Sequence, residues 1–175
     1  MQTIRLTYKT ITMFFQHIYD KSLAQASYFI GCQKAGVAAV IDAKRDVDTY
    51  LEIAKANNMK ITHIFETHIH ADFLAGSREL AKLTGAELYL SDEGGAGWEY
   101  EFPHHGLKDG AKVQVGNLTF EVLHTPGHTP EHGYFVTDVP ERFVVVDELA
   151  RNATAAAPTS GPSAPRPAGT MRVPA

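Results

Sequence analysis

The chain has a single cysteine, Cys32, so no internal disulfide can form and stability must come from the packed core. Sparse cysteine fits a reducing compartment, and a cytoplasmic location is expected. No apolar run approaches the roughly 18–20 residues that a membrane span needs, so no membrane partner is expected. Positive charge is not in excess: the formal net charge is −4, which excludes the basic footprint of a nucleic-acid binder. Residues 151–175 contain no aromatic side chain, and Met171 and Val173 are their only large apolar residues. Such a composition cannot bury enough apolar surface to offset its ordering entropy, so 149–175 reads as a disordered tail. No internal repeat is visible.

What remains is ordinary globular sequence. The 175 residues are 44% hydrophobic, enough for one domain with a real core, here placed over residues 1–148. Met1 to Tyr19 carries Arg5 and Lys9 and no acid, which admits a transit peptide. The segment lacks the Arg and Ser richness of such peptides, so a short extension before the first strand is the better expectation, with Met13 an alternative start.

Along the chain, β-prone runs cover 13–19 and 26–31, and Val37 to Ile41 reads as a buried strand closed by Asp42. A helix is expected over 47–56 with Asp46 as N-cap, then a strand over 60–65. A second helix is expected over 73–83 with Leu74, Leu80 and Leu83 on its apolar face, stopping at Gly85. A strand follows over 86–90. The β-α-β-α-β order predicts parallel pairing with helices on a sheet face. Residues 91–110 are glycine-rich and read as one long loop. A hairpin is expected over 112–123 across Gly116-Asn117, and strands over 133–137 and 142–146.

The chemistry gathers at strand ends. His68, His70 and Asp72 alternate after an apolar run, and alternate side chains of extended backbone point to one side. His128 lies in the turn Thr125-Pro-Gly-His-Thr-Pro130, and Asp147 follows the last strand. Loops at strand ends are where α/β proteins place functional groups. Two imidazoles and a carboxylate, His68, His128 and Asp147, form a triad with open metal positions. That set suits non-haem Fe(II) and equally a catalytic zinc with bound water.

Thr67-His-Ile-His-Ala-Asp72 resembles the Thr-His-x-His-x-Asp signature of the metallo-β-lactamase fold, Thr125-Pro-Gly-His128 its second metal motif, and Val144-Val-Val-Asp147 its third. Within that superfamily Glu66-Thr-His-Ile-His-Ala-Asp-Phe73 is most similar to persulfide dioxygenases, which are related to glyoxalase II. The resemblance covers about 13–147 and implies an α/β fold, an αββα sandwich. Hydrolases of the fold usually have His where Phe73 stands, and that His helps hold a second metal. Phe73 has no donor atom, which points to one metal. Carried over, the dioxygenase pattern implies one Fe(II) per chain on His68, His128 and Asp147, with zinc as the alternative. His70 and Asp72 then serve catalysis by orienting ligands and bound water through hydrogen bonds. The implied reaction is oxidation of a small persulfide, typically glutathione persulfide, by O2 to sulfite and thiol. A zinc thioester hydrolase of the glyoxalase II type and an inactive metal-binding fragment are the alternatives. A homodimer is the assembly left open.

The departures lie at the C-terminal end. Val146 stands where the family has Gly, and the glycine- and arginine-containing run expected after the Asp is replaced by Glu148-Leu-Ala-Arg-Asn152. The expectation is a sandwich incomplete at its C-terminus. Among the other candidates, His63, His124 and Cys32 read as structural, the pair His104-His105 as solvated, and His132 and His17 have no motif support. Asp42 reads as a loop-positioning residue, and Asp138 as a weaker rival to Asp147.

Overall fold

The computed structural model describes the backbone of residues 2–8, 11–137, 142–145 and 171–173, with side chains over 13–137. A seven-stranded sheet runs in the order β1 (Gln2–Tyr8), β2 (Ile11–Asp20), β3 (Gln25–Cys32), β4 (Val37–Ile41), β5 (Lys60–Phe65), β6 (Glu87–Ser91), β7 (His105–Leu107). A five-stranded sheet follows the order β12 (Met171–Val173), β11 (Arg142–Val145), β10 (Gly133–Thr137), β9 (Leu118–His124), β8 (Lys112–Val115). Helices α1 (Asp48–Ala56) and α2 (Ser77–Thr84) complete the described elements.

Side-chain alternation sorts the strands into layers. Met13, Tyr28, Ile30, Ala39, Ile41 and Phe65 of the first sheet meet Leu118, Phe120, Val122 and Phe135 of the second. The opposite parity, Phe14, Phe29, Val40, Ile61 and Ile64, packs under Tyr50, Ile53 and Leu80 of the helices. β3 is buried along its whole length because it is covered on both faces. Phe65 sits where the layers meet, with ring centroids 4.9 Å from Phe135 and 5.5 Å from Phe120. The architecture is helices, sheet, sheet: the αββα sandwich with its second helix layer absent among the described residues.

β4, β5, β6 and β7 pair in parallel, as the alternating pattern predicts. Parallel strands place their C-terminal ends along one edge, which brings Asp42 beside the segment after Phe65. The β8–β9 hairpin turns at Gly116-Asn117, where Gly116 has φ +62° and packs against Cys32 and Ala35.

Four local expectations change. α2 begins at Ser77 instead of 73, because Gly76 donates its N–H to the Ala43 carbonyl (2.7 Å). A side chain at Gly76 would collide with the Lys44 carbonyl, so only glycine lets the chain dock this closely on the β4–α1 loop before it coils. Leu74 and Leu83, expected on the apolar face, are 70% and 58% exposed; Leu80 alone of the three is buried. The 91–110 loop contains β7, whose pairing with β6 has little sequence signal over three residues. Val47, not Asp46, occupies the N-cap of α1, and Asp46 instead accepts a hydrogen bond from the Thr49 hydroxyl (2.8 Å).

At the chain's beginning, Gln2–Tyr8 is itself a strand, paired antiparallel with β2, where an extension was expected. At the other end Met171–Val173 pairs with β11. The rest of the 149–175 segment, together with Asp138 and Asp147, lies outside the described residues.

Candidate metal centre

Three segments converge beyond the strand ends: Asp42 after β4, residues 66–73 after β5, and the turn 125–132 between β9 and β10. Asp42 is completely buried and has φ +52°, a left-handed conformation that Asp tolerates better than most residues. Its N–H donates to the Phe65 carbonyl (2.9 Å), and its own carbonyl accepts from Gln25 Nε2 (3.2 Å). Its carboxylate organises the histidine loop. Oδ1 accepts the Thr67 N–H (2.7 Å) and lies 3.2 Å from His70 Nε2, while Oδ2 accepts the Thr67 hydroxyl (2.9 Å).

This network fixes protonation at the histidines. The Thr67 hydroxyl spends its proton on Asp42, so at its 2.9 Å contact with His68 it must accept from Nδ1–H. A neutral His68 ring then carries its lone pair on Nε2, which leaves that nitrogen able to bind a metal. His70 donates through Nε2 to Asp42, which places its lone pair on Nδ1.

The second sheet clamps the same loop. Gly133 N–H donates to the Thr67 carbonyl (2.9 Å), and the Ile69 N–H donates to Glu131 Oε1 (2.6 Å). The turn itself is closed by Thr125 N–H donating to the His132 carbonyl (2.8 Å). The His68 ring lies 4.1 Å from that of His70, 4.9 Å from His128 and 5.3 Å from His132, centroid to centroid. Phe73 stacks on His70 at 4.4 Å. Beside them opens a cavity of about 250 Å³ lined by Glu66, Ile69, His70, Phe73, Tyr100 and Phe102. Burial pushes the Glu66 carboxyl above the usual carboxylate range. The Tyr100 hydroxyl is raised too, first by burial and then by Glu66, Glu131 and Asp42. A larger cleft of about 530 Å³, between α2, β6 and residues 102–105, lies beyond the shared Arg78 and Phe102 and includes none of these loop histidines.

The residues singled out from the sequence are thus partly assembled. His68 is buried, the His70 side chain is 5% exposed, and His128 stands on the exposed side of the turn. Asp72 is exposed, and it is Asp42 that accepts the hydrogen bond from His70. Asp147 lies outside the described residues. Among the described residues, no group of three or more His, Cys, Asp or Glu is close enough to hold a metal ion. The donor chemistry nevertheless fits a divalent transition metal: clustered imidazoles, one oriented by a buried carboxylate through Thr67, form an arrangement typical of metal-binding histidines. Glu131 and His132 carried no signal in the sequence beyond adjacency to the Pro-Gly turn; burial and contact with the His68 loop reveal them.

The sequence model of the Metallo-beta-lactamase superfamily matches residues 22–146. The chain belongs to the metallo-beta-lactamase superfamily. Within the superfamily it is 34% identical over 107 residues to a hydroxyacylglutathione hydrolase of Rhodospirillum rubrum, covering 60% of this chain and 40% of that protein. A hydroxyacylglutathione hydrolase of Rhodopseudomonas palustris is 30% identical over 122 residues, covering 70% and 47%. The chain therefore spans less than half the length of these curated superfamily relatives. Among solved structures, a metallo-beta-lactamase from Staphylococcus aureus superposes with a TM-score of 0.73 at 42% identity, covering 76% of this chain and 41% of that one. ETHE1 from Myxococcus xanthus superposes with a TM-score of 0.64 at 31% identity, covering 70% and 53%.

Proposed function

We propose that the chain is the metal-binding part of a cytoplasmic mononuclear Fe(II) persulfide dioxygenase acting on glutathione persulfide or a related small persulfide. His68, His128 and Asp147 would hold the iron, with His70 and Asp72 in supporting roles. The observation that carries this reading is Phe73. Its ring stacks on His70 at 4.4 Å, at the position where a second-metal ligand stands in hydrolases of the fold. A benzyl side chain there supplies no donor and fills the adjacent space.

The overall reaction balances as GSSH + O2 + H2O → GSH + SO3²⁻ + 2 H⁺. Bound Fe(II), held by His68, His128 and Asp147, would supply the redox chemistry. The protein's own contributions follow from the geometry. Asp42, through Thr67, holds the His68 tautomer, and through Oδ1 it orients His70. Phe73, Tyr100 and Phe102 give the cavity beside His70 an aromatic wall. Glu66, on the same wall, retains its proton to a higher pH than an ordinary carboxyl.

A second reading, a zinc thioester hydrolase, is favoured by the hydroxyacylglutathione hydrolases among the relatives. It would use metal-activated water on a glutathione thioester. Metal analysis with two assays separates the readings. The dioxygenase reading expects iron and O2 uptake with glutathione persulfide. Zinc with hydrolysis of S-lactoylglutathione would establish the alternative, and iron-loaded protein without O2 uptake would refute the first.

A further inference from the structure

Glu131 is fully buried, yet the only hydrogen bond described for its carboxylate is to the Ile69 N–H, at 2.6 Å on Oε1. Oε2 has no hydrogen-bond partner among the described residues. The side chain is shut in by Gly94, where an added Cβ would lie 3.2 Å from the Glu131 Cβ and 2.6 Å from that of Trp98. A buried, half-satisfied carboxylate is costly as mere scaffold. Its one bond falls on the residue between His68 and His70, and it arises three residues after His128. It thus ties the two histidine-bearing loops, one from each sheet, across 62 residues of chain.

We propose that Glu131 is a positioning residue of the metal centre: by accepting the Ile69 N–H it holds the His68-Ile69-His70 backbone in register with the His128 turn. The inference rests on reading the histidine loop as a metal site, but not on which reaction is catalysed. Holding both loops before metal arrives lowers the ordering cost of binding. The neighbouring Gly133 bond to Thr67 sets the loop's height, and Glu131 sets the peptide plane from which both imidazoles project.

The experiment uses the full chain and three variants, Glu131→Ala, Glu131→Gln and Glu131→Asp. Zn(II) affinity is measured by competition with a chromophoric chelator, and Ile69 amide exchange by NMR. Glu131→Ala should lower zinc affinity about 10–100-fold, the range for groups that support metal ligands. Its Ile69 amide should exchange about 10-fold faster or more, as befits a lost bond of roughly 1.4 kcal/mol. Glu131→Gln keeps the acceptor and should restore both values to near wild type. Glu131→Asp keeps the charge but falls short by one methylene, and should resemble alanine. Wild-type zinc affinity or a still-protected Ile69 amide in the alanine or aspartate variant would overturn the proposal, as would glutamine behaving like alanine. If alanine does not fold, the glutamine–aspartate contrast decides. If the wild type binds no zinc, the metal reading fails on its own and the Ile69 exchange still decides the tether. If zinc binds but neither reaction occurs, the functional reading fails and this one stands.

Discussion

Replacing Asp42 by Asn changes one hydrogen-bond direction in the loop network. Oδ1 survives as an acceptor for the Thr67 N–H and His70 Nε2, at 2.7 and 3.2 Å. The atom at the Oδ2 position becomes an N–H donor, 2.9 Å from the Thr67 hydroxyl. That hydroxyl must now accept, and its proton turns to His68 Nδ1, 2.9 Å away. His68 is pushed into the opposite tautomer, with its proton on Nε2. Asn also tolerates the left-handed backbone found here (φ +52°), so no strain is added. The stability loss should be small, about 1–2 kcal/mol, the difference between charged and neutral hydrogen bonds. Metal affinity should fall much further in proportion, about 10–100-fold. Asp42→Ala is the contrast. It orphans three donors, the Thr67 N–H, the Thr67 hydroxyl and His70 Nε2, at about 1–3 kcal/mol each and adds about 1 kcal/mol of left-handed strain, for a total of roughly 4–10 kcal/mol. That is a large share of the roughly 5–15 kcal/mol that keeps a domain folded. Urea unfolding gives the stabilities, and zinc titration against a chelator gives the affinities. An Asn variant that binds zinc like the wild type would refute the tautomer argument. Equal destabilisation by Asn and Ala would refute the assignment of which oxygen does what.

Three further outcomes are expected. Phe73→His adds a donor next to Asp72 and should raise the zinc bound per chain above that of the wild type in metal analysis; unchanged stoichiometry would count against the proposal that Phe73 limits the site to one metal. Gly76→Ala drives a Cβ into the Lys44 carbonyl, which is backbone, and to 2.9 Å from Val47 Cγ1, so it should cost about 1–3 kcal/mol or more in urea unfolding. Burial holds His63 below its ordinary value of 6.5. The unfolded chain therefore binds its proton first, and His63 contributes stability that is present above about pH 6.5 and lost as pH falls through that value toward the lower folded one. His63→Gln should flatten the slope of stability against pH between about 5.5 and 7.5, and an unaltered slope would show that His63 is not its source.

Local signals placed most elements well. Val37–Ile41 and Lys60–Phe65 were legible because a buried strand writes itself as a short apolar run, and Gly116-Asn117 because the turn needs a positive φ. The histidine pair and the Pro-Gly turn were legible because metal ligation demands particular side chains at particular spacings. The first turn of α2 was misread because helical spacing at Leu74 cannot register that Gly76 is held by the Ala43 carbonyl and packed close against Lys44. β7 was missed because a three-residue strand is created by its partner β6, not by its own composition.

The sequence by itself determined the chemistry on offer: His68, His70, His128 and the donor-free Phe73, in motifs that mark a superfamily. Tertiary structure decided how that chemistry is held. Both Asp42 and Glu131 lie far from the histidine loop along the chain; Asp42 could be named as a loop-positioning residue from its place at a strand end, though not its partners, and Glu131 had no signal beyond adjacency to the Pro-Gly turn. Parallel pairing of β4 with β5 brings the first beneath the loop, and packing of the two sheets brings the second against it. Residue type and spacing are local properties and can be read from one strand of text. The support of a ligand comes from whichever buried acceptor the fold delivers, and only packing delivers it.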